Sequence, residues 1–157
     1  MIMKIKLNYN NDSWEAFQVD IKCYIENVSM QLGMMNRSVE SALQKNLSKE
    51  EIDKWINALS TWLNRAKLWK ELPTRIINKK EFELTEAEYL EFIRMIVHEI
   101  EMSKSRMEDY KTQGWSWAKE IMPHERKGLN RKIRLYERLE NKKYKFFDEM
   151  YEKYSAL

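Results

Sequence analysis

Apolar residues recur every three or four positions along most of this chain, and that spacing is what most constrains its fold. Trp14, Phe17, Ile21, Tyr24, Ile25, Val28, Leu32, Met35, Val39, Ala42 and Leu43 share one face of a helix. The stripe keeps its phase across Gly33. The pattern therefore predicts one long helix over about 13–46, or two helices with a gentle break at Gly33, where glycine costs about 1 kcal/mol against alanine. Ser48 and Glu51 have the spacing of a capping box, and Ile52, Trp55, Ile56, Leu59, Trp62, Leu63, Ala66 and Trp69 follow at helical intervals. A second helix is expected over 49 to about 71, ended by Pro73. Thr85 and Glu88 repeat the capping box, and Leu90, Ile93, Ile96, Val97, Ile100 and Met107 carry a third helix over 86 to about 112, stopped by Gly114. Pro123 suits a first helical position. After a short turn of helix within 115–122, a fourth helix is expected over about 124–153, with Leu129, Ile133, Leu135, Tyr136, Leu139, Phe146, Phe147, Met150 and Tyr154 facing inwards.

Two short segments alternate with period two instead, residues 4–9 and 80–84, which is the signature of a half-buried strand. Paired, they set Lys4 and Lys6 beside Glu81 and Glu83, and cross-strand charge pairs of this kind contribute a few tenths of a kcal/mol each. A two-stranded ribbon is marginal alone and needs a helix beneath it. The expected fold class is thus all-α, a bundle of four to five helices with a small β ribbon. No internal repeat, Gly/Ser linker or low-complexity stretch divides the chain, so residues 1–157 read as one domain.

The remaining composition removes several function classes. Cys23 is the only cysteine, which leaves no intrachain disulfide and no zinc-binding spacing. Charge-free runs reach ten residues at most, as in 27–36, half the length a membrane span requires. Lys4 and Lys6 are followed by no apolar run of the kind a secretory signal carries. A cytoplasmic protein without a membrane partner is expected. The chain is rich in Asn, Ile and Lys and poor in Ala, Gly and Pro, a bias of AT-rich codons that points to a low-GC bacterium or one of its phages or plasmids.

Catalytic constellations are missing. No Glu-x-x-His pair of the kind that builds metal sites in bundles occurs, and His98-Glu99 has Met102 where a zinc-protease helix needs its second histidine. His98 falls off the apolar stripe of the third helix and is expected to be solvated, as is His124 beside Pro123. Cys23 lies opposite the apolar stripe of the first helix, with Met30 and Met34, and nothing near it in sequence activates it. Three glycines supply no phosphate-cradling loop. The carboxylates fall on faces expected to be exposed. The expectation is a protein that is not an enzyme, with no cofactor and no metal.

One feature stands out. The net charge of +3 is unevenly placed, residues 115–157 carrying +4. Lys127, Arg131, Arg134, Arg138, Lys142 and Lys145 follow one another at intervals of three and four. At 100° per residue they fall within an arc of roughly 80° opposite the apolar stripe of the fourth helix, in a line about 27 Å long. Like charges at i, i+4 repel, and a polyanion would offset that cost by trading condensed counterions for protein cations. Trp115 and Trp117 lie just upstream, where aromatic rings beside a basic groove can stack on bases. The competing account is a solvated helix face, or one neutralised by the acidic run Glu81, Glu83, Glu86, Glu88 and Glu91. Trp55, Trp62 and Trp69 recur every seven residues along the flank of the second helix. With ten Met, six Trp and nine Arg, this chain is rich in residue types enriched at interfaces.

The expected function is a non-catalytic binding protein that presents its basic helix to nucleic acid with little sequence preference. The alternative is a protein-interaction module, an adaptor or a mobile-element inhibitor, that meets an acidic protein surface through exposed Trp, Tyr or Met. The long stripes of helices one and four also offer a seam for a homo-oligomer.

Overall fold

The computed structural model describes residues 2–140. Strand β1 (Ile2–Lys6) leads into helix α1 (Asn11–Gln44), then α2 (Lys49–Ile76), strand β2 (Glu81–Thr85), α3 (Glu86–Gln113) and α4 (Ala118–Glu140). The expected mainly α bundle with a small ribbon is what forms, with four helices among the described residues.

The caps act where the sequence places them. Ser48 Oγ accepts from the Glu51 N–H, and Thr85 and Glu88 close a full capping box at α3. Gly114 ends α3 with φ +65°, a left-handed conformation that glycine adopts without a Cβ penalty. Asn10 follows the first alternating segment. It caps α1, accepting from the Ser13 N–H at 2.9 Å, so the helix begins at Asn11. α1 then runs unbroken through Gly33.

Both prolines depart from expectation. Pro73 does not end α2, which continues to Ile76, and Pro123 lies inside α4 rather than at its start. A proline removes one backbone donor, and burial on both sides outweighs that loss at Pro73: Leu72 and Ile76 flank it and are fully buried. At α4 the helix starts earlier, at Ala118, a buried residue whose N–H closes the preceding turn by donating to the Trp115 carbonyl at 3.1 Å.

β1 and β2 pair antiparallel with Lys4 opposite Glu83 and Lys6 opposite Glu81. Ile5, Leu7, Phe82 and Leu84 turn inwards. A run of edge-to-face rings, Tyr9–Phe17–Phe92–Phe82, joins the β1–α1 turn to α1, α3 and β2 at centroid separations of 5.6–6.0 Å. This run supplies the helix layer that the ribbon needs.

α3 is the central helix and is buried on more than its apolar stripe. Phe92, Ile93, Met95, Ile96, Val97 and Ile100 are buried, and so are Glu88, Glu91 and Glu99. Leu90, expected inside, is exposed. Glu91 sits in a cage: Arg65 Nε donates to both of its oxygens at 3.1 and 3.2 Å, Trp69 Nε1 donates at 3.0 Å and Arg94 at 2.8 Å. Glu88 pairs with Arg75. The expectation that carboxylates lie on exposed faces fails for these three because α2 and α4 cover the back of α3. His98 is likewise not solvated. It packs against the Tyr24 ring at 5.3 Å, and burial, aided by Arg65 and Arg106, pulls its pKa down.

Candidate nucleic-acid interface

α4 lies against α3 and α1 through Leu135 and Tyr136, both buried, with Leu129, Ile133 and Leu139 packed at the edge. That seating fixes which face of α4 looks outwards. Beneath it an ionic cluster ties three helices together. Lys132, only 4% exposed, donates to Ser103 Oγ at 2.9 Å and lies 3.5 Å from Asp20. Arg106 reaches Ser103 and pairs with Glu125 at 2.8 Å. Burial, against the pull of Lys132, raises the Asp20 carboxyl above its ordinary range. Burial together with Asp20 pushes Glu99 up to about 7. Lys132 is therefore a structural cation, distinct from its neighbours in sequence.

The outward face carries the basic row into a groove. Lys127, Arg131, Arg134 and Arg138 line one wall, and the β1–α1 turn forms the other, an open volume of about 940 Å³. Lys142 and Lys145 lie outside the described residues. Over Lys127 to Arg138 the row is about 16 Å long. Among the described residues that line the groove, Asp12 is the one carboxylate.

Several lining residues were not anticipated: Asn8, Tyr9, Asn10, Ser13, His124 and Asn130. Of these, only His124 and Asn130 share a helix with the cations, and the rest arrive from more than 110 positions away. Tyr9 stands under the row, with the Arg131 guanidinium 5.9 Å from its ring centroid. Burial, opposed by Arg131 and Arg138, pushes its hydroxyl up to about 12, so near neutral pH it remains an O–H donor. Among the described residues, Tyr9 Oη and Arg131 Nε have no hydrogen-bond partner although solvent hardly reaches either atom. Unpaired buried polar groups cost about 1–3 kcal/mol each. Arg138 donates to the Lys6 carbonyl at 2.9 Å, pinning this end of α4 to the ribbon. The start of α1 adds the positive end of a helix dipole to the same groove.

Three acids of the run, Glu83, Glu88 and Glu91, are paired away from this row. Glu88 and Glu91 face Arg75, Arg65 and Arg94, and Glu83 lies 3.9 Å from Lys4. These cations stand on α2, α3 and β1.

Trp115 and Trp117 lie at the α3–α4 corner, outside the groove. Their rings stack on each other, 5.1 Å between centroids and 13° from parallel, and Tyr110 meets both edge-on. They remain 42% and 49% exposed. Cys23, Met30 and Met34 are exposed, as their placement opposite the stripe of α1 implied. Among the described residues no group of His, Cys, Asp and Glu has the arrangement to hold a metal, and no helix is long and apolar enough to cross a membrane. Comparison with protein-family models, curated proteins and solved structures finds no match to this chain.

Proposed function

We propose that this chain is a non-catalytic binding protein whose groove between α4 and the β1–α1 turn takes the phosphate backbone of a nucleic acid. The observation that carries the reading is the convergence of Lys127, Arg131, Arg134 and Arg138 on one groove with a single carboxylate among the described residues of its lining. Arginine side chains in such a wall can donate in pairs to phosphate oxygens, and the neutral Tyr9 hydroxyl adds a further donor. Recognition would rest on charge and shape with weak sequence preference, because phosphate contacts position a strand without reading its bases. Lys142 and Lys145 extend the same row in sequence.

Fluorescence-anisotropy titration against short DNA and RNA at several salt concentrations tests this. Four to six phosphate contacts give a slope of log affinity against log salt between about -3 and -5. Charge reversal of Arg131, Arg134 and Arg138 should abolish binding and leave the helical circular dichroism intact. Reversal of the exposed Lys127 and Arg134 alone should weaken binding without disturbing the Arg138 anchor. Absence of binding to any nucleic acid at low salt refutes the reading.

A second reading is favoured by the far half of the α1–α2 hairpin, where Met34, Leu43, Trp55, Ile56 and Leu63 are exposed. Trp55 and Leu47 border a shallow depression there with Met34 and Ala42. Under this reading the chain is a protein-interaction module, and the basic face steers it to an acidic partner or a second copy covers the hairpin. Recovery of a specific partner that survives nuclease treatment, or a concentration-dependent mass in sedimentation, supports it.

A further inference from the structure

The groove alone does not distinguish duplex from single strand, but its setting does. Trp117 immediately precedes α4, the helix that carries the basic row, and stands seven residues before His124, the first α4 residue in the groove. That is about 10 Å of helix rise, or about three nucleotides at the spacing of one strand in duplex DNA. Ile121, between them, is exposed.

The ring pair at this corner has a preformed geometry. Trp115 and Trp117 already stack nearly parallel, and the Tyr110 edge braces both. Two indoles with roughly half their surface in water would ordinarily be buried, since Trp carries the largest apolar area of any side chain. In a duplex the bases are paired and stacked on each other, and an aromatic ring beside the backbone cannot reach their faces without opening the helix. A single strand offers the same phosphates together with unpaired π-faces.

Resting on the nucleic-acid reading above, we infer that the ligand class is single-stranded nucleic acid, with its backbone in the α4 groove and a base stacked on the Trp115–Trp117 pair. Base stacking is tolerant of sequence because every base has a π-face, which agrees with recognition through charge and shape.

The test compares four probes on the intact chain at one salt concentration: labelled 20-mers of single-stranded DNA, single-stranded RNA, duplex DNA, and an abasic phosphodiester strand of the same length. The expected order places both single strands at least tenfold tighter than the duplex and the abasic strand. Trp115→Ala with Trp117→Ala should weaken single-strand binding tenfold or more and leave abasic-strand binding unchanged. The abasic comparison uses the unaltered protein, so it holds even where the double substitution disturbs the corner. Duplex binding as tight as single-strand binding, or equal affinity for abasic and normal strands, overturns this inference while leaving the groove reading intact. Failure of all four probes to bind, or binding only to an acidic protein, overturns both.

Discussion

Replacing Glu99 by Gln isolates the ionic cluster beneath the groove. Glu99 is 7% exposed, and burial with the Asp20 charge raises its pKa from 4.5 to about 7, Glu125 adding to the rise and Lys132 and Arg106 opposing it. Between those two values the folded chain keeps a proton that the unfolded chain has released. Stability from this group is therefore fully present below about pH 4.5 and is lost as pH rises through 7. Two and a half units at 1.36 kcal/mol per unit amount to about 3 kcal/mol. Glu99→Gln holds the same shape without a charge. It should match the parent protein near pH 4.5 and exceed it by about 3 kcal/mol at pH 8, equivalent to roughly 6–12 °C in Tm for a chain of this size. Asp20, also raised by burial, is present in both proteins and contributes to both curves. Thermal melts by circular dichroism across pH 4.5–8.5 measure the difference directly. Parallel curves, or a variant less stable than the parent at pH 8, would refute the assignment of a protonated carboxyl between α1, α3 and α4.

Glu91→Ala leaves Arg65, Arg94 and the Trp69 indole without their shared acceptor, and urea unfolding should show a loss of about 3–5 kcal/mol; a loss under 1 kcal/mol would mean the cage is solvated. Gly114→Ala should cost about 1 kcal/mol through its φ of +65° alone, since an added Cβ meets nothing within 4 Å, and Gly114→Asn should cost less. Thr85→Ala removes the capping box of α3 and should cost about 1 kcal/mol in the same assay.

What was legible in the sequence was periodic and local; what was not came from packing between distant segments. The helices α1, α2 and α3 and the capping boxes at Ser48 and Thr85 follow from spacing along one segment, and the ribbon joins two segments each of which alternates locally. Pro73 misled because a breaker rule weighs one missing hydrogen bond, whereas Leu72 and Ile76 hold α2 together on both sides of it. His98, Glu88, Glu91 and Glu99 misled for a different reason. A stripe describes a helix buried from one side, and α3 is buried from several, so half-buried His98 packs on Tyr24, Glu88 and Glu91 pair with Arg75 and Arg65, and Glu99 is withdrawn from water.

The groove combines both cases. Its cations were visible as a row at intervals of three and four, but Tyr9 and Asn10 reach Arg131 only through the fold. The central position of α3 also bears on the charge of that groove. Because α3 is covered, its acids are drawn into pairs with α2 arginines and with its own Arg94. Glu88 and Glu91 are thereby engaged between α2 and α3, while Lys127, Arg131, Arg134 and Arg138 stand together on the groove wall.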